Sequence, residues 1–130
     1  MDPSPIELKL RQVLRERPED LVAAYLFGSV ARGTARPNSD VDVAVLLARA
    51  PASKLSAQPF ALEDDLRALI GRPVQIVVLN TAPADLAFRV LREGKLLLDR
   101  DPAARARFEV RTRNEYFDLK PFLDRYRRTA

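Results

Sequence analysis

The sequence predicts an α/β fold: a small mixed β-sheet flanked by helices, with a long helix at the C-terminal end. Three observations carry this expectation. Largely apolar runs too short for helices recur at 21–27, 43–47 and 74–79. Segments with apolar residues at helical spacing lie between and around them. The chain has 130 residues, 47% of them apolar, which suits one domain with a real core.

Pro5 to Arg17 reads as a helix, with Ile6, Leu10, Val13 and Leu14 at helical spacing and Pro18 as its stop. Leu21 to Phe27 is the first strand. Ser29 to Gly33 starts a short helix, and Arg36-Pro37-Asn38-Ser39 forms a turn. Asp40 to Leu47 is the second strand. Ala48 to Pro59, with its prolines, serines and alanines, reads as a loop. Phe60 to Ile70 is an amphipathic helix with Leu62, Leu66, Leu69 and Ile70 inward and Gly71 as its end. Val74 to Leu79 is the third strand. Thr81 is placed to cap a helix from about Pro83 to Glu93, which Gly94 stops. Lys95 to Leu98 fits a short edge strand. Pro102 to about Arg128 is one long helix, with Pro102 in its first turn and Pro121 as a candidate kink.

Composition narrows the chemistry. The chain has no cysteine and no histidine. Disulfides, thiolate sites, Ser-His-Asp triads and histidine-ligated zinc are therefore excluded. Catalysis must rest on carboxylates, Lys, Arg, Tyr, Ser and a metal ion. No apolar run reaches the length of a bilayer span, and Met1 to Pro5 does not begin a secretion signal, so a cytoplasmic location is expected. The net charge is +4, and from Asp101 to Ala130 eight basic residues face five acidic ones. That stretch suits a partner surface or a solvated face better than direct nucleic-acid readout, because few aromatics interleave its arginines.

The chemical signal is a Gly-Ser turn followed, after ten intervening residues, by a carboxylate pair: Gly28-Ser29, then Asp40-Val41-Asp42. In a strand, Asp40 and Asp42 point to one face, with Cα atoms roughly 6.6 Å apart. Two carboxylates so placed can grip a hard cation from one side. Gly28 lets backbone approach a phosphate closely, and the Ser29 hydroxyl can donate to it. Arg32 or Arg36 can offset the charge of a triphosphate. Metal plus triphosphate is the constellation of nucleotidyl transfer, in which a hydroxyl attacks the α-phosphorus and pyrophosphate leaves.

Gly28-Ser29, the gap, and Ser39-Asp40-Val41-Asp42-Val43-Ala44-Val45-Leu46 resemble the signature of the minimal nucleotidyltransferases of the DNA polymerase β-like superfamily. Phe88 to Lys95, and Phe108-Glu109-Val110-Arg111 through Tyr116, are similar to the C-terminal half of the MntA-type antitoxins. The resemblance implies a polymerase β-like fold in a single domain over 1–130, with the helix near 102–128 as a partner-binding element. It implies transfer of AMP from Mg-ATP to a tyrosine of a cognate HEPN RNase toxin, an AMPylation that neutralises the toxin. By that likeness Asp40 and Asp42 hold Mg²⁺ and serve catalysis. Gly28, Ser29, Arg32 and Ser39 are then nucleotide-binding positions.

One departure stands out. The family places a third carboxylate on the next core strand, where this chain has Gln75. An amide offers a carbonyl ligand but cannot accept a proton. Catalysis is then slow, or Glu63, Asp64 or Asp65 reaches in, or the protein neutralises its toxin by binding alone. For those three acids a charged helix face is the preferred reading. A small-molecule transferase ranks last, because so short a chain leaves little room for a substrate domain. Tyr116 and Tyr126 read as half-buried packing with the hydroxyl in water rather than as base-stacking or modified residues, and Phe108, Tyr116 and Phe122 as docking the last helix on the sheet or on a partner.

Overall fold

In the computed structural model, residues 4–17, 20–49 and 60–129 are described. Helix α1 (Pro5–Glu16) begins where the Ser4 hydroxyl accepts the Glu7 N–H at 3.2 Å. Arg100 donates to the carbonyls of Leu14, Arg15 and Arg17 and so closes its other end. Strand β1 (Leu21–Phe27) runs into the short helix α2 (Gly28–Arg32), and β2 (Val41–Leu47) follows. Helix α3 (Phe60–Ile70), strand β3 (Val74–Val78) and a 3₁₀ turn (Leu79–Thr81) come next. Helix α4 (Ala84–Glu93), strand β4 (Lys95–Asp99) and helix α5 (Pro102–Thr129) complete the chain.

The four strands form one mixed sheet in the order β3-β2-β1-β4. β1 pairs antiparallel with β2 and β4, and β2 pairs parallel with β3. All of β1 is buried, because it is central and covered on both faces. On one face α1 and α3 bring Leu10, Leu14, Leu62 and Leu66 against Leu26, Val41, Val43, Val45 and Val74. On the other, Ala87 and Val90 of α4 and Phe108 of α5 cover Tyr25, Phe27, Ala44 and Leu46. Alternation along β2 therefore assigns Asp42, between Val41 and Val43, to the α4–α5 face.

Polar clasps hold the layers. The Tyr25 hydroxyl donates to Glu109 of α5 at 2.9 Å, and Arg105 bridges Asp99 and Glu109. The Leu47 N–H donates to Asn80 Oδ1, and Asn80 donates back to the Leu47 carbonyl. At the free edge of β3, Glu63 accepts the Ile76 N–H at 3.3 Å and Arg67 donates to the Val74 carbonyl at 3.4 Å. Glu63 and Arg67 also pair with each other at 2.9 Å.

Local expectations changed at four points. β2 starts at Val41 rather than Asp40, whose backbone lies just outside the ladder. Leu69 is 46% exposed, because the buried stripe of α3 follows Leu62, Leu66 and Ile70. Thr81 lies in the 3₁₀ turn, and Pro83, with no side-chain cap, precedes α4. α5 continues through Pro121 as one helix. The loop expected at 48–59 falls almost wholly outside the described residues.

Candidate active site

Three adjacent strands converge at one end of the sheet. Phe27 of β1 lies opposite Asp42 of β2, and Asp42 lies opposite Gln75 of β3. Gly28 follows Phe27 with φ +77°, a left-handed conformation that favours glycine. A Cβ on Gly28 would stand 2.2 Å from Asp42 Oδ2. Backbone angle and side-chain contact therefore both require glycine here. Their joint effect is to seat the Asp42 carboxylate directly over the start of α2.

Burial and the neighbouring Asp40 charge push the Asp42 carboxyl above its ordinary value, while Arg89 and Arg32 pull it back. Two carboxylates that repel each other at a partly buried strand mouth suit a divalent cation with oxygen ligands. Among the described residues no group of three or more acidic, histidine or cysteine side chains is placed to hold a metal ion. Asp40 and Asp42 are the carboxylates at this strand mouth.

A cavity of about 460 Å³ opens over this point. Phe27, Val77 and Leu86 form its apolar wall, and Gly28, Ser29, Arg32, Asp42, Gln75 and Arg89 its polar side. The volume lies in the range of small-ligand clefts. A wider depression of about 510 Å³ is lined by α5 alone, from Ala106 to Asp118, and is an open helix surface rather than a cleft.

Of the residues read from the sequence, Gly28, Ser29, Arg32, Asp42 and Gln75 meet in this cavity, and Asp40 acts on Asp42 through its charge. Arg32 also pairs with Glu93 of α4 at 3.3 Å. Ser39 does not line the cavity. Its hydroxyl accepts the Arg36 N–H at 2.8 Å, and its carbonyl accepts from Arg72 at 2.7 Å, so it shapes the turn that delivers Asp40. Arg36 contributes its carbonyl to the same Arg72 clamp. The acids of α3 lie against the opposite face: Glu63 and Asp64 pair with Arg67, and Asp65 with Arg17. None of the three lines the cavity.

Arg89 is the residue that sequence reasoning missed. It lies on α4, lines the cavity, and lowers the Asp42 carboxyl electrostatically. An exposed arginine on an amphipathic helix carries no local signal. Only the packing of α4 on the sheet reveals what it faces.

Comparison with known proteins places this geometry in a class. The family described as "Polymerase beta, Nucleotidyltransferase" matches residues 8–103, and the chain belongs to it. The chain is 34% identical over 91 residues to the protein adenylyltransferase MntA of Shewanella oneidensis, a match covering 70% of this chain and 63% of that protein. The match thus spans less than two thirds of that relative's length. A crystal structure of a toxin–antitoxin with AMP-PNP superposes with a TM-score of 0.73 at 28% identity, covering 92% of this chain and 97% of that one. The antitoxin in a complex with a tri-AMPylated Shewanella oneidensis HEPN toxin superposes with a TM-score of 0.66 at 25% identity, over 93% and 95% of the two chains.

Proposed function

We propose that this chain is an antitoxin that transfers AMP from Mg-ATP to a tyrosine of a cognate HEPN toxin in the cytoplasm and so neutralises it. The observation that carries the reading is the Asp42 carboxylate seated over Gly28, with Asp40 beside it, at the mouth of a nucleotide-sized cavity. Asp40 and Asp42 are the residues that would hold Mg²⁺. When bound, the ion neutralises charge on the phosphates during transfer.

The chain's own residues supply the rest. Gly28 admits phosphate oxygens close to the backbone, and the Ser29 hydroxyl donates to them. Arg89, with Arg32 shared by Glu93, offsets the triphosphate charge. The wall of Phe27, Val77 and Leu86 keeps water from one side. The acceptor oxygen attacks the α-phosphorus, a new P–O bond forms, and the bond to pyrophosphate breaks. Gln75 cannot take the hydroxyl proton, which leaves to Asp40 or to water.

The toxin surface would engage α5, where Val110, Phe117, Phe122 and Tyr126 are exposed. The toxin in the Shewanella complex is tri-AMPylated. By this reading repeated transfer belongs to the present chain too, with a ribose hydroxyl of the attached AMP as the next acceptor.

The test is incubation with labelled ATP, Mg²⁺ and the neighbouring toxin. No label on a toxin that binds would overturn the reading. Gln75 favours a second one, in which the protein neutralises its toxin by covering it. That reading expects the double substitution Asp40→Ala, Asp42→Ala to keep full protection, and loss of protection with the fold intact refutes it.

A further inference from the structure

A second cavity of about 240 Å³ opens between α4 and α5. Phe88, Arg89 and Arg92 of α4 and Tyr116 and Arg127 of α5 line it. It adjoins the transfer cavity, since Leu86 and Arg89 line both. Three guanidinium groups face a single carboxylate there, that of Asp85, which accepts the Leu86 N–H at 3.0 Å and pairs with none of them.

Several arginines elsewhere are engaged: Arg105 with Asp99 and Glu109, Arg67 with Glu63, Arg72 and Arg100 with backbone carbonyls. At this cavity Arg89 and Arg127 make no hydrogen bond or ion pair among the described residues. Arg92 pairs with Glu93 at 3.4 Å, lies over the Phe88 ring at 5.9 Å from its centroid, and is 60% exposed. The wall behind them is fixed, by contrast. Phe88 and Tyr116 stack with ring centroids 3.9 Å apart and planes within 3°. Phe117 packs edge-on against both. A rigid wall carrying uncommitted cations suits an anion held by charge-assisted hydrogen bonds.

We propose that this α4–α5 cavity is a phosphate-binding subsite for an acceptor that already carries a nucleoside monophosphate. The proposal rests on the transferase reading above and extends it. The triphosphate of ATP already has Gly28, Ser29, Arg32 and Arg89 in its own cavity. The second cavity, beyond Leu86, has room for a ribose phosphate. Held there by Arg92 and Arg127, the attached nucleotide offers a ribose hydroxyl to the next ATP. Its oxygen attacks the α-phosphorus, the new P–O bond forms, pyrophosphate leaves with the electrons of the broken bond, and the hydroxyl proton goes to water. Arg92 and Arg127 position the acceptor and take no part in bond making.

Two measurements decide the matter. Intact-mass spectrometry of the toxin, with full-length protein and Mg-ATP, counts AMP additions with time. Arg92→Ala with Arg127→Ala should slow later additions relative to the first, within the same variant, by on the order of tenfold per arginine. Arg92→Lys with Arg127→Lys should recover part of the loss. A later-to-first ratio unchanged from wild type in the alanine variant overturns the proposal, as does a wild type that stops at one. In the second measurement, AMP is titrated into protein whose transfer site holds Mg²⁺ and AMP-PNP, and the arginine side-chain NMR signals are followed. AMP should move the Arg92 and Arg127 signals while adenosine does not. Equal effects, or none, overturn the proposal. A wild type that transfers no AMP at all refutes the transferase reading, and the titration still decides the subsite.

Discussion

Replacing Gly28 with alanine tests the geometry of the site most directly. Two costs combine at this position. The backbone stands at φ +77°, where an L-residue loses about 1–2 kcal/mol. The new Cβ would also lie 2.2 Å from Asp42 Oδ2, so the carboxylate must retreat by about 1 Å to reach ordinary contact. A displacement of that size at a reacting centre costs on the order of 10²-fold in rate. Gly33→Ala separates the two effects, because Gly33 has φ +75° and nothing within 4 Å of its virtual Cβ. Both variants should lose stability in thermal melts, Gly28→Ala the more of the two. Only Gly28→Ala should lose AMP transfer and Mg²⁺ affinity, read by labelled ATP and by calorimetry. Equal transfer rates in the two variants would refute the claim that Gly28 exists to seat Asp42.

Other substitutions probe the same reasoning. Asp42 has its folded pKa raised, so its contribution to stability is present when protonated at low pH and is lost as pH rises through the folded value. Asp42→Asn should therefore melt higher than wild type at pH 7 without divalent cation, by less than about 1 kcal/mol given solvent screening. It should match wild type in acid, and it should abolish transfer. Gln75→Glu restores a carboxylate opposite Asp42 and should tighten Mg²⁺ binding on the order of tenfold by calorimetry. Unchanged affinity would show that residue 75 does not face the ion. Tyr25→Phe removes the 2.9 Å bond to Glu109, which keeps Arg105, and should cost about 1 kcal/mol in denaturant unfolding.

The sequence carried the parts of the fold set by local physics. β1 and α3 fall on the expected bounds because apolar period and end signals agree there. The Gly28–Asp42 relation was partly legible, since Gly-Ser before a carboxylate pair implies neighbouring strand ends. The contact that makes glycine obligatory was not, because it depends on antiparallel register across thirteen intervening residues, 29–41. Leu69 and Thr81 were misplaced by local patterns that tertiary packing overrode. Arg89 left no trace in the sequence, because its role comes from α4 lying across the sheet.

The Glu63–Arg67 pair on α3 has a consequence for how the protein behaves in a crowded solution. By taking the outward N–H of Ile76 and the outward carbonyl of Val74, it occupies the bonds that a docking strand would need. β3 is apolar and borders the sheet, so an open edge there would template intermolecular strand addition. The helix thus imitates one rung of a fifth strand and ends the ladder. Charge on α3 that looks like a catalytic reserve closes the edge of β3 against strand addition instead.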